Sequence, residues 1–183
     1  MKQQFFILIS SCIRKNITLW VTVFTLTGLF HISCTSPEKE YKKNGISFTV
    51  PSGWKIANNS NSDHGYIFCE RDGIVPKGVI TISWFNDSLN THEELLKNIS
   101  QLKETLKIQN PEFDSIQKCF FGSYEALCSN YKMGISGVNS VGYIKCFYTN
   151  KKTFTIQLLE GTNVAEENTE AKKKISTSFK CYD

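Results

Sequence analysis

The chain has almost no net charge outside its first 33 residues. The formal charge of the 183-residue chain is +4, but Lys2, Arg14 and Lys15 lie in a leader that has no Asp or Glu, so the remainder has a net charge of +1. Binding to nucleic acid requires a clustered basic surface that neutralises phosphates. We therefore expect no nucleic-acid partner for this protein.

Histidine is also scarce, and the cysteines form no CxxC pair. After the leader the sequence has only His64 and His92, whereas an enzyme that used Cys and His would need both within hydrogen-bond reach of a third, orienting group. Five residues of metal-ligand type lie close together in the sequence, but their spacing fits no zinc-finger or metalloprotease pattern. They are Asp63, His64, Cys69, Glu70 and Asp72. We predict no catalytic residue, no metal site and no cofactor.

Five of the seven cysteines follow residue 34, an odd number that allows at most two internal disulfides. They are Cys69, Cys119, Cys128, Cys146 and Cys181. A domain of this length folds without disulfides, and a buried free cysteine packs as a small hydrophobic residue, so core packing is the expected role of most of them. A tight turn at Gly122 and Ser123 would place Cys119 and Cys128 diagonally on one face of a hairpin. These two are the first pair to test for a disulfide.

An uncharged apolar segment follows two basic residues near the start of the chain. Residues 17–33 read ITLWVTVFTLTGLFHIS, after Arg14 and Lys15 and before the polar sequence TSPEKEYKK. This order is typical of a secretory signal, and the positive residues favour translocation of the part that follows. Because a helix of this length spans roughly 25 Å, cleavage is favoured over a permanent membrane span. We therefore predict export from the cytoplasm.

Cys34 directly follows the small residue Ser33, with Ile32 before it. This arrangement resembles the lipobox of bacterial lipoproteins, in which the cysteine is lipidated and becomes the new N-terminus. Residues 1–33 are accordingly predicted to be a lipoprotein signal peptide, residues 34–43 a tether and residues 44–183 the folded domain, anchored at a membrane of the cell envelope through Cys34. Two alternatives remain open, namely an uncleaved signal anchor and ordinary signal cleavage.

Four strands and one helix are predicted in the first half of the domain. Alternating apolar and polar residues indicate strands at 46–50, 54–57, 66–70 and 79–85. Thr91 with Glu94 three residues later forms a capping box. The apolar residues that follow recur on one helical face and are Leu95, Ile99, Leu102 and Leu106. Asn110 and Pro111 end this helix.

The second half of the domain predicts four more strands and a closing helix. The strands lie at 114–121, 124–132, 141–148 and 153–160, and the helix at about 164–179. Short turns join the strands, and connections of this length link antiparallel neighbours. The order ββββ, α, ββββ, α therefore predicts an α+β domain in which an antiparallel sheet is flanked by two main helices.

The opening of the domain, ISFTVPSGW at residues 46–54, is a strand that ends in Val and Pro before a turn and a tryptophan. It resembles the start of the Mog1p/PsbP-like domains, and the order of elements continues the resemblance to about residue 180. The resemblance implies an antiparallel sheet sandwiched between helices. It also implies a binding or assembly module, since the family includes photosystem-associated lumenal proteins, a Ran-binding protein and bacterial envelope lipoproteins. It supplies no catalytic residues.

These features favour a non-enzymatic envelope lipoprotein that binds another envelope protein. In the loop MGISGVNSV, residues 133–141, Ile135 and Val138 are the predicted partner contacts, because loops held by a rigid sheet often carry binding residues. The alternative is a periplasmic module that binds a small ligand or a metal. A groove of aromatic residues with convergent polar groups would favour the alternative, whereas an exposed apolar patch would favour protein binding.

Overall fold

The computed structural model describes residues 36–60, 64–72, 77–135, 137–149 and 151–182. The predicted signal peptide, Cys34 and Asp63 lie outside these ranges. The described residues belong to one compact unit, Thr35–Asp183. None of the helices among them is long and apolar enough to cross a bilayer.

Within these ranges the fold contains eleven strands and two α-helices. The strands are β1 Lys39–Lys43, β2 Ile46–Val50, β3 Trp54–Ser60, β4 His64–Arg71, β5 Gly78–Phe85, β6 Glu112–Phe113, β7 Gln117–Phe121, β8 Tyr124–Ile135, β9 Val138–Tyr148, β10 Thr153–Gly161 and β11 Lys180–Cys181. The helices are α1 Thr91–Thr105 and α2 Thr169–Ser178, and short 3-10 turns lie at Lys107–Gln109 and Thr162–Val164.

The strands form two antiparallel sheets. The smaller sheet has the order β1-β2-β11, and the larger has the order β3-β4-β5-β10-β9-β8-β6, with β7 also paired to β8. The two-residue turn predicted at Gly122 and Ser123 joins β7 to β8. Of the strand predicted at 114–121, only Gln117–Phe121 form a strand, β7, while β6 lies just before the predicted range; both pair with β8.

Alternate side chains of β9 face two different cores. On one face of the large sheet, α1 contributes Leu95 and Ile99 to a core that includes Ile144 and Cys146 of β9. The opposite face carries the larger core, which includes Ile175 of α2 and the apolar residues of β2. This alternation is the period of a strand buried on both sides. The predicted α+β class, with an antiparallel sheet flanked by two main helices, is confirmed.

Five aromatic rings lie together in the larger core and are named here the aromatic cluster. The ring of Phe147 in β9 lies 5.0–5.8 Å from the rings of Phe121, Tyr124, Phe154 and Phe179, measured between centroids. Stacked and edge-on pairs at such distances are favourable. The cluster joins β7, β8, β9 and β10 to the residue that follows α2.

The N-terminus of α1 differs from the predicted capping box. The N-cap is Asn90, whose Oδ1 accepts hydrogen bonds from the backbone N–H groups of His92 at 3.0 Å and Glu93 at 3.3 Å. The prediction that Thr91 caps the helix together with Glu94 was wrong. Asparagine is a stronger N-cap residue than threonine, and it lies one position earlier.

The fold begins before the predicted domain boundary at residue 44. Lys39–Lys43, part of the predicted tether 34–43, form β1 and pair with β2. Tyr41 is buried and stacks on Phe48 with ring centroids 5.1 Å apart, while the other four residues of β1 are exposed. A strand with one buried position in five shows no apolar alternation, which is why its sequence indicates a tether.

Candidate binding groove

An open groove lies between α2 and the β8–β9 hairpin. α2 packs mainly toward β2, with Ala171 and Ile175 against the larger core. The face of the large sheet that carries the larger core is therefore not covered by α2 over part of β8 and β9. The groove left there has a volume of about 490 Å³, and its walls come from β7 to β10 and from α2.

One wall of the groove is a polar face of α2. Its residues recur at the i, i+3, i+4, i+7 spacing that lines one side of a helix, and they are Thr169, Lys172, Lys173 and Ser176. This spacing places two ammonium groups and two hydroxyl groups along one side of the groove. α2 thus has two roles, with apolar residues in the core and polar residues along the groove.

Four lysines line the groove, namely Lys132, Lys145, Lys172 and Lys173. The Lys145 Nζ lies 4.8 Å from the centroid of the Tyr143 ring and donates a hydrogen bond to the backbone oxygen of Phe120 at 2.9 Å. Lys132 and Lys173 are exposed. The groove therefore presents cationic groups from three elements, β8, β9 and α2.

Glu160 is a buried anion at the groove, with 2% of its side chain exposed. Its carboxylate accepts hydrogen bonds from Lys172 Nζ and from Asn168 Nδ2, the latter at 2.8 Å. The Oδ1 of Asn168 accepts a further hydrogen bond from Arg71 at 2.9 Å. Buried polar groups require such partners. The network connects the start of α2 with β4 and β10 and so positions the helical wall.

Tyr143 supplies a neutral phenol to the groove. Burial raises its pKa, and the Glu160 carboxylate adds to the increase because a second negative charge nearby is unfavourable. The phenol is protonated at neutral pH, as an ordinary tyrosine also is, and the raised pKa extends this to more alkaline pH. A protonated phenol can donate a hydrogen bond to an anionic group.

The β7–β8 turn packs closely against the end of α2. Gly122 has a φ of 60°, and a Cβ at this position would lie 2.2 Å from the backbone oxygen of Ser176. Only glycine combines the left-handed conformation with the absence of a side chain that this contact requires. The turn thereby supports the wall of the groove at Ser176.

The predicted partner contacts lie in the hairpin tip, defined here as residues 133–139. The loop predicted from residue 134 to residue 140 is shorter than expected, because β8 continues to Ile135 and β9 begins at Val138. That boundary prediction was wrong, since the two strands stay paired as far as Ile135 and Val138. A turn at Gly137, with φ of 81°, permits this tight connection.

In the hairpin tip, Gly134 and residues 137–139 are exposed, whereas Met133 is buried. Val138 is 51% exposed, and the side chain of Ile135 lies outside the described part of the chain. Lys132 and Val141 pair across β8 and β9 next to the tip, and both line the groove. Val138 itself lies on the opposite face of β9, because side chains alternate along a strand and Ile144, at an even spacing from Val138, faces α1.

The histidines and the other residues of metal-ligand type lie apart from the groove. His64 packs its ring 4.9 Å from that of Phe85, and His92 is exposed in the first turn of α1. Cys69 is buried in the larger core, and Glu70 forms an ion pair with a lysine of β3. Among the described residues, no three His, Cys, Asp or Glu side chains gather as a metal site.

The five cysteines that follow residue 34 are free thiols. Burial raises the pKa of Cys69 and of Cys146 to about 12. Such thiols are protonated at pH 7, whereas the nucleophile is the thiolate. Cys69 and Cys146 are therefore poor candidates for catalysis.

Cys119 and Cys128 lie diagonally across β7 and β8, as their spacing predicts. Cys119 pairs with Ala126, and Gln117 pairs with Cys128. The pKa of Cys119 is raised to about 12, first by burial and then by a hydrogen bond with the Cys128 thiol. The two thiols are therefore in contact on the sheet face that carries α2.

No local sequence pattern indicates the groove lysines of the sheet. Lys132 and Lys145 are single basic residues in two strands, and the strand pairing places them on one face. Phe120 is 63% exposed but does not line the groove, whereas the adjacent Phe121 does. Because neighbouring residues of a strand face opposite sides, one of the adjacent Phe120 and Phe121 must leave the core.

Several solved structures share this fold. A cyanobacterial PsbP from Synechocystis superposes with a TM-score of 0.57 at 11% identity, over 79% of this chain and 92% of its own. LpqN of Mycobacterium tuberculosis, involved in cell envelope biogenesis, superposes with a TM-score of 0.52 at 15% identity, over 80% of this chain and 91% of its own. The Saccharomyces cerevisiae Ran-binding protein Mog1p superposes with a TM-score of 0.51 at 10% identity, over 80% and 96%.

The chain spans about half, 48%, of a Bacteroides thetaiotaomicron protein that superposes with a TM-score of 0.56 at 16% identity over 79% of this chain. No protein-family model and no curated protein matches the sequence. The likeness is thus one of structure at low sequence identity. The domain has the Mog1p/PsbP-like fold.

Proposed function

We propose that this protein is a non-enzymatic envelope lipoprotein whose domain binds another envelope protein through the hairpin tip and the groove. The observation that carries the proposal is the exposure of the apolar Val138 at the tip of a hairpin whose two strands also line an open groove. Small ligands are bound in sites that enclose most of their surface, whereas exposed apolar residues suit a protein partner. The aromatic and polar lining of the groove also suits a small ligand, but its open shape favours a larger one.

One protein with this fold supports a binding role in general terms, and another supports an envelope location. Mog1p is a Ran-binding protein, and LpqN is involved in cell envelope biogenesis. We extend protein binding and an envelope location to this chain as part of the proposal. The residues proposed to contact the partner come from the surface of this chain alone. The high pKa values of Cys69 and Cys146 support a role without covalent catalysis.

Lipidation of Cys34 is the proposed attachment to the membrane. Replacement of Cys34 by Ser should move the protein from the membrane fraction to the soluble fraction or leave it as an unprocessed precursor, because no acyl chain can then be added. Fractionation with mass measurement of the N-terminal peptide tests this. Cys12→Ser is the matched control and should leave the attachment unchanged. A Cys34→Ser protein that is cut at the same position but stays in the membrane would refute lipid anchoring.

Binding of a partner through the hairpin tip is tested with Val138→Asp. The substitution places a charge on an exposed contact, and recovery of the co-purifying partner from membranes should fall by on the order of tenfold. Leu96→Asp is the control, because Leu96 on α1 is also exposed, at 48%. Both variants should keep the melting temperature of the wild-type protein. Equal recovery with the two variants would exclude the tip as the contact.

A further inference from the structure

We infer that the groove between α2 and the β8–β9 hairpin binds an extended acidic segment of the partner protein. This inference rests on the proposed function, in which the domain binds another envelope protein, and it adds the chemistry of the segment that is recognised. It is carried by the charge, the shape and the hydrogen-bonding groups of the groove.

The charge of the groove is positive where a ligand has access. The lining has four lysines and two carboxylates, a net formal charge of +2. Glu160 is paired with Lys172, whereas the exposed Asp114 keeps its negative charge and accepts a hydrogen bond from Asn130 at 3.3 Å. In the described ranges, Lys132, Lys145 and Lys173 have no carboxylate within 4.0 Å, although Glu112 lies opposite Lys132 in the β6–β8 register. Three lysines are therefore available for carboxylates of a partner.

The shape of the groove favours a peptide segment over a lipid surface. Lys145 and Lys172 are half-buried within a concavity between a helix and a sheet, whereas Lys132 and Lys173 are exposed. A planar bilayer surface would reach only the exposed pair. An extended chain is narrow enough to enter the concavity and reach Lys145 as well as the exposed pair.

The groove also offers hydrogen-bonding groups for a peptide. Thr169 and Ser176 add hydroxyl groups along the α2 wall, and the protonated phenol of Tyr143 faces a site rich in lysine. Carboxylates form their strongest hydrogen bonds with cationic donors. A suitable partner segment therefore carries several acidic residues.

The test uses the full chain in a neutral detergent and a fluorescein-labelled octaglutamate peptide as the probe. Lys132→Glu with Lys173→Glu should weaken binding, measured by fluorescence anisotropy, by at least about tenfold. The charge-matched control is Lys107→Glu with Lys151→Glu, which changes two exposed lysines outside the groove. The control should stay within about twofold of the wild-type protein. Equal loss in the two double variants would overturn the inference.

Two further measurements separate the possible outcomes. If glycerol 3-phosphate binds through the same lysines while the peptide does not, the groove recognises a lipid headgroup and the inference is wrong. If the native partner co-purifies equally with both double variants, the acidic-segment inference fails while the proposed function stands. If the wild-type protein retains no protein partner and does not bind the peptide, both fail.

Discussion

Replacement of Phe147 by alanine is expected to lower the free energy of unfolding by about 3–5 kcal/mol. Phe147 is 1% exposed, and its ring contacts those of Phe121, Tyr124, Phe154 and Phe179 in the aromatic cluster. The substitution leaves a cavity where four strands meet the end of α2, and the surrounding rings cannot fill it without losing their own contacts. Urea unfolding followed by the fluorescence of the buried tryptophans measures the loss.

Phe120 provides the matched control for this experiment. It carries the same side chain in β7, but 63% of it is exposed. Phe120→Ala should change the free energy of unfolding by no more than about 0.5 kcal/mol. Similar losses in the Phe147 and Phe120 variants would show that the aromatic cluster is not the centre of the core.

Replacement of Lys172 by methionine is expected to destabilise the fold by about 3 kcal/mol. The Glu160 side chain is 2% exposed, and Lys172 is its ion-pair partner. Among the described residues, the substitution leaves the buried carboxylate with the hydrogen bond from Asn168 as its remaining side-chain partner. Removal of one partner from a buried pair is costly because the other charge remains out of water. Urea unfolding of the variant measures the effect.

The neighbouring Lys173 distinguishes the ion pair from a general effect of lost charge. Lys173 is exposed, so Lys173→Met should change the free energy of unfolding by no more than about 0.5 kcal/mol. Adding Glu160→Gln to the Lys172 variant should recover about 1–2 kcal/mol, since it removes the unpaired charge and keeps a hydrogen-bonding side chain. A double variant no more stable than the single one would contradict the assigned pair.

These expectations divide the groove lysines into two kinds. Lys172 holds α2 against the sheet through Glu160, so its loss would confuse a change in stability with a change in binding. Lys132 and Lys173 lack such a partner among the described residues and are exposed. They are therefore the lysines whose replacement reports on binding.

Strong local patterns were sufficient to predict most of the elements. The alternation in β2 and β5 and the stripe from Leu95 to Leu106 in α1 come from residues that must face a core at the period of their own element. β1 has no such pattern, because Tyr41 is its single buried residue and the pairing with β2 provides the rest of its stability. β1 is recognised as a strand only through its pairing with β2 in the structure.

The proposed binding groove depends on contacts between distant parts of the chain. Some features are local and can be predicted from neighbouring residues. They are the leader, the lipidation predicted at Cys34, and the strand and turn of ISFTVPSGW. The groove is not local, since Lys132 and Lys145 reach the same side as Lys172 and Lys173 through strand pairing and the packing of α2 on β2. Local periodicity reports which face of an element is buried, but it does not report which elements leave a face uncovered.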